Sequence, residues 1–146
     1  MPKGALLHAH LEATVDAATL LGLGLEHENM CIRVPGRVTP ANLGRVLPQF
    51  GARAVAGARE YTTAPTITDT HYVPEGWVSA RRARLEWPAA MGGADGFDAW
   101  AVKSMVINPE EAYGTHNTTR KIWMKFVGAF TVIYVSCARL ASLVRS

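Results

Sequence analysis

Gly4-Ala5-Leu6-Leu7-His8-Ala9-His10-Leu11-Glu12 decides how this chain is read. The stretch is short and apolar and alternates at its end, which predicts a buried strand whose last residues turn polar side chains to one face. Residues two apart on a strand point the same way. His8 and His10 therefore present both imidazoles to one side, while Leu7, Ala9 and Leu11 anchor the other. Two imidazoles so placed can reach a single metal ion. Glu12 continues the polar face at the strand's end, where a substrate would meet it. The pair is not a complete site, because a catalytic zinc takes three protein ligands and keeps an open position.

Outward from this strand, Thr14 is placed to cap a helix carrying Val15, Ala17, Ala18, Leu20 and Leu21, with Asp16 in its first turn and Gly22 and Gly24 ending it. Met30 to Val34 predicts a second short strand before the turn at Pro35-Gly36. From Thr39 to Tyr61 prolines and glycines break any long period, leaving a short helix over Asn42 to Phe50. Ala64 to Pro74 reads as an extended, Thr-rich linker, and Ser79 to Trp87 as a helix stopped by Pro88. Asp95 predicts the N-cap of a helix from Gly96 to about Met105 that buries Phe97, Trp100, Ala101 and Ser104 or Met105. Asn108-Pro109-Glu110-Glu111 joins a cap, a proline at the first helical position and two acids facing the helix dipole. Asn117 or Thr118 then caps a last helix with Ile122, Phe126, Ala129, Phe130 and Ile133 on one face. Over Thr131-Val132-Ile133 the β-branched run leaves helix and strand open.

Composition narrows the classes. With 146 residues, 49% hydrophobic and 18% charged, and a mean hydropathy of +0.06, the chain fits one globular domain or part of a larger one, and not a disordered segment. The longest apolar run, Phe126 to Ala138, falls short of the ~20 residues a membrane helix needs, so no membrane partner is expected. Met1-Pro2-Lys3 imitates the start of a secretory leader, but His8 and His10 interrupt the apolar run and no small-residue cleavage site follows. As written, the chain is expected in the cytoplasm. Cys31 and Cys137 read as buried thiols rather than a disulfide framework. The net charge of +3 divides into −2 up to Glu111 and +5 beyond it. The late cations Arg120, Lys121, Lys125, Arg139 and Arg145 are spread through apolar sequence with Trp123 alone among them. Arg81, Arg82 and Arg84 have Glu86 beside them and read as a solvated helix face. Neither group makes the basic, aromatic-lined surface of a nucleic-acid binder.

Other chemistry fails on spacing. His27 lies in an acidic turn, His71 in the linker and His116 at a helix start, and none is accompanied by Glu-x-x-His or Cys-x-x-Cys. Gly22-Leu23-Gly24 lacks the third glycine of a dinucleotide loop. No Walker loop or Gly-x-Ser-x-Gly elbow exists, and Asp95-Gly96-Phe97-Asp98 is too poor in oxygens for calcium. Asn117-Thr118-Thr119 is a glycosylation sequon better used as a helix cap. Trp123, on residue type alone, reads as a core residue.

Met1 to Leu11 resembles the first barrel strand of the adenosine deaminase-related growth factor family, the larger and often secreted branch of the adenosine deaminases. So do Met30-Cys31-Ile32, the run Gly92-Gly93-Ala94-Asp95-Gly96-Phe97-Asp98-Ala99-Trp100, and Ile107-Asn108-Pro109-Glu110-Glu111-Ala112-Tyr113. His116-Asn117-Thr118-Thr119 and Ile122-Trp123-Met124-Lys125-Phe126 extend the likeness to fungal members. It covers about residues 1–133 and leaves 134–146 as a divergent tail.

The resemblance implies an α/β fold, the N-terminal part of a (β/α)8 TIM-type barrel, incomplete in this chain because such a barrel needs ~250 residues. It implies a zinc-dependent hydrolase that converts adenosine and water to inosine and ammonia, with zinc as cofactor and a purine nucleoside as partner. By residue match, His8 and His10 are the first two zinc ligands. Glu12 falls where conventional adenosine deaminases carry an aspartate near the ribose, and Trp123 matches a tryptophan close to the nucleoside pocket. The family's later histidines, catalytic glutamate and aspartate ligand have no counterpart here, so no catalytic residue is assigned. The chain is expected to be a truncated, inactive piece whose Phe126, Val127, Phe130, Val132 and Ile133 form an exposed apolar patch, giving self-association or a molten state that binds hydrophobic dye. A non-catalytic binding module or a non-functional truncated product is the alternative.

Overall fold

Met30–Arg33 forms a strand, β1, as its apolar run predicts, and the sheet is built around it. The computed structural model describes residues 15–52, 63–107 and 122–128. Within them β1 lies between β2 (Gln49–Ala52) and β3 (Val78–Ser79), in the order β2-β1-β3. Both pairings are antiparallel, with Ile32 opposite Phe50 on one side and Val78 on the other. Four helices accompany the sheet: α1 (Ala17–Leu25), α2 (Ala80–Leu85), α3 (Gly93–Met105) and α4 (122–128). The described fold is mixed α/β. The strand predicted over 4–11 and the tail boundary at 133 lie outside the described residues.

Alternation along β1 gives the sheet two different faces. Met30 and Ile32, with Phe50 and Val78, join one buried cluster with Leu20, Leu21, Ala83, Phe97 and Ala101 from the helices. Cys31 and Arg33 take the other face. Cys31 is a buried thiol, as expected, and its Sγ donates to the Gly51 carbonyl at 3.1 Å; Cys137 lies outside the described residues. Gly51 lets the Trp77 ring lie on the sheet, since a Cβ there would sit 2.9 Å from the ring's Cη2. Arg33 then stacks its guanidinium 4.6 Å from the Trp77 ring centre.

Several local expectations are corrected. The α1 cap is Asp16, whose carboxylate accepts from the Thr19 N–H at 2.9 Å, and not Thr14, which lies outside the described residues. Gly22 and Gly24 stay inside α1, because packing of Leu20 and Leu21 in the core outweighs the ~1 kcal/mol each glycine costs a helix. Asn42 to Phe50 is not a helix. Asn42 instead spends its side chain on a turn, accepting from Thr39 N–H at 2.8 Å and donating to the Arg37 carbonyl at 2.9 Å, and the chain then enters β2. The helix expected from Gly96 starts at Gly93, after Gly92 at φ 93° closes the 3-10 turn Ala89–Met91; Asp95 lies in its first turn and is not its cap. The buried set Phe97, Trp100, Ala101, Ser104 and Met105 is the one the period predicts. Ser79 caps α2, accepting from Arg82 N–H, and the helix ends before Pro88 as expected.

The segment 64–74 is no linker. Thr66, Ile67 and Tyr72 are buried. The Tyr72 hydroxyl accepts from the Val34 N–H at 3.0 Å and has the carbonyls of Val34 and Gly76 at 3.1 and 2.9 Å to donate to, which stitches the segment to the end of β1. Tyr72→Phe is expected to cost about 1–3 kcal/mol in urea unfolding, since it strands a buried N–H. Burial pushes the Tyr72 phenol above its ordinary value of 10.0. The folded state thus holds its proton more tightly than the unfolded one. The wild-type chain should lose stability as pH rises beyond 10, and Tyr72→Phe should lose less.

Candidate functional site

His8, His10 and Glu12 lie outside the described residues, so the fold places only one of the four sequence-assigned residues, Trp123. Trp123 stands on α4 with 61% of its surface exposed and its ring centre 5.5 Å from that of Phe126. It is not a core residue, which corrects the expectation from residue type; the helix turns Lys125 inward instead. An exposed indole braced by a second ring can serve as a flat wall for a ligand.

A zinc ion needs at least three protein ligands. Among the described residues no three His, Cys, Asp or Glu side chains come together to hold a metal. His27 is half-buried in its turn, with its backbone N–H on the Gly24 carbonyl. His71 is exposed and paired with Asp69, whose carboxylate accepts from the His71 backbone N–H at 2.7 Å and ring Nδ1 at 3.3 Å. The backbone bond holds the Asp69 carboxyl below its ordinary pKa. Two groups on an exposed loop make no metal site by themselves.

A groove of about 550 Å³ lies between α1 and α2, floored by α3. Apolar side chains of Leu21, Leu25, Leu85 and Val102 line it, with Arg84 gripping Asp98 at its base. That grip is bidentate, with Nε and Nη2 each donating at 2.8 Å to separate carboxylate oxygens, and it holds Arg84 still more firmly protonated. Arg82 pairs with Glu86 at 2.7 Å and donates to the Ala64 carbonyl at 2.8 Å. The stretch expected to be a plain solvated face therefore commits two of its three arginines to structure.

Sequence reasoning missed Lys125. It was grouped with the dispersed tail cations, but it is only 2% exposed, and its Nζ donates to the carbonyls of Lys103 at 3.0 Å and Val106 at 2.9 Å. These are the open carbonyls at the C-terminal end of α3, where a cation also meets the negative end of the helix dipole. Lys125 thus fastens α4 to α3. Its only signal was a cation directly before the apolar run that starts at Phe126.

No protein-family model, curated protein or solved structure matches the chain. No helix among the described residues is long and apolar enough to cross a membrane.

Proposed function

We propose that the chain carries the first zinc-ligating strand of an adenosine deaminase-like hydrolase, with His8 and His10 as metal ligands and a purine nucleoside as substrate. The observation that carries this reading is the same-sided pair His8/His10 within a segment that resembles the first barrel strand of that family. Zinc in such a site supplies an activated water for attack at C6 of the purine. Glu12, at the end of the polar face, is assigned to the ribose, and the exposed Trp123 ring to the purine's flat face.

The proposed (β/α)8 barrel takes residues 4–11 as its first strand. Barrel strands run parallel. The described sheet is antiparallel at both pairings, so β1, β2 and β3 are not barrel strands on this reading. They pack with α1, α2 and α3 among the described residues.

Titration calorimetry with zinc tests the assignment. Two imidazoles fill half a coordination shell, so affinity in the isolated chain is expected to be micromolar at best. His8→Ala and His10→Ala should each weaken it by about tenfold or more. Tight, stoichiometric zinc binding that survives both substitutions would overturn the site.

A further inference from the structure

We propose that the groove between α1 and α2 is the contact face of a symmetric dimer of this chain. The groove mixes apolar walls (Leu21, Leu25, Val102) with charged ones, and Leu85 on its α2 side is 69% exposed. Its charges are divided in a telling way. Arg84 and Asp98 satisfy each other. Arg81 and Glu26, both exposed and both lining the groove, make no hydrogen bond or ion pair among the described residues. Glu26 is the C-cap of α1, and no basic residue lies in that helix's last turn, so a carboxylate sits uncompensated at the negative end of the dipole. That end of the groove calls for a cation, and Arg81 calls for an anion.

A two-fold axis answers both demands at once. In an isologous interface residue i meets residue j of the partner, and j meets i, whatever their spacing within one copy. Arg81 then faces the partner's Glu26, Glu26 faces the partner's Arg81, and each exposed Leu85 enters the other copy's groove. Room for it exists at Gly22 on the α1 wall, where an added Cβ would meet nothing within 4 Å. A small ligand would have to bridge both charges at one fixed spacing and would leave the exposed Leu85 uncovered. A second copy is favoured for that reason.

Sedimentation velocity of the full chain over a range of concentrations tests this. A monomer–dimer equilibrium is expected, weakened by salt. Arg81→Glu and Glu26→Arg should each raise the dissociation constant about tenfold or more, and the two together should restore it to within about threefold. Gly22→Phe should fill the groove and abolish the dimer without lowering the melting temperature, since it replaces a helical glycine beside open space. A chain that stays monomeric would overturn the proposal. So would association indifferent to Gly22→Phe, which would place the contact elsewhere, or a double charge variant that restores nothing.

Discussion

Purified chain incubated with zinc and adenosine is expected to form no inosine above background. Deamination needs an activated water, a carboxyl group to move protons and a pocket that excludes solvent from the purine. In the proposed assignment His8 and His10 hold metal, Glu12 meets the ribose and Trp123 lines one side. None of them is placed to carry the proton. Loss of a general acid–base group alone commonly costs about two to four orders of magnitude in rate. The Trp123 ring assigned to that side is open to solvent, with 61% of its surface exposed. A chain extended with the remaining barrel strands of the resembled family should turn adenosine over and should stop doing so with His8→Ala. Turnover by the 146-residue chain that His8→Ala abolishes would show that a proton-carrying carboxyl lies within it, with Glu12 the first to substitute.

The resemblance that led to this chemistry has two different physical contents. His8, His10 and Glu12 are a polar face at period two, legible in any strand, and their meaning rests on chemistry alone. Gly92-Gly93-Ala94-Asp95-Gly96-Phe97-Asp98-Ala99-Trp100 is instead a packing motif. Gly92 takes the left-handed turn, Phe97 and Trp100 fill the core, and Asp98 holds Arg84. Such residues build the local fold and touch no reacting group.

Within the described fold, what could be read was what depends on one segment. The buried face of α3 follows from its period, α2 from Ser79 and Pro88, and β1 from four residues of apolar sequence. What could not be read depends on a distant partner. β3 is two residues long and exists because β1 lies beside it. β2 contains a glycine that weakens a strand in isolation and is covered by Trp77 in the fold. The hydroxyl of Tyr72 and the ammonium of Lys125 close onto backbone groups 38 and 22 residues away, and no local pattern announces either. The antiparallel direction of the sheet has the same origin, since strand direction is set by which segments meet and not by the composition of each.

Gly96→Ala is expected to destabilise the chain by about 1–3 kcal/mol or more, although alanine is the better helix former by ~1 kcal/mol. Gly96 lies in the first turns of α3, and a Cβ added there would drive into the Met91 carbonyl oxygen. That carbonyl cannot swing aside freely, because it accepts the Trp87 Nε1–H at 3.2 Å. Trp87 in turn stacks on Trp100 at 5.0 Å and meets the edge of Phe97 at 5.2 Å. Relief of the clash therefore means moving the helix start or the whole aromatic cluster, and overpacking of this kind costs about 1–3 kcal/mol or more. Phe97→Ala attacks the same cluster from the opposite direction, by emptying it, and should cost about 3–5 kcal/mol. Domain stabilities are only ~5–15 kcal/mol, so either change takes a substantial share. Urea unfolding followed by tryptophan fluorescence reads both, and because the two residues are neighbours their effects should not add. Gly22→Ala is the control, since it faces open space on α1 and should stabilise by up to ~1 kcal/mol. If Gly96→Ala stabilised the chain as Gly22→Ala does, α3 could not be seated on the Met91 carbonyl, and the aromatic cluster would not be the keystone of this fold.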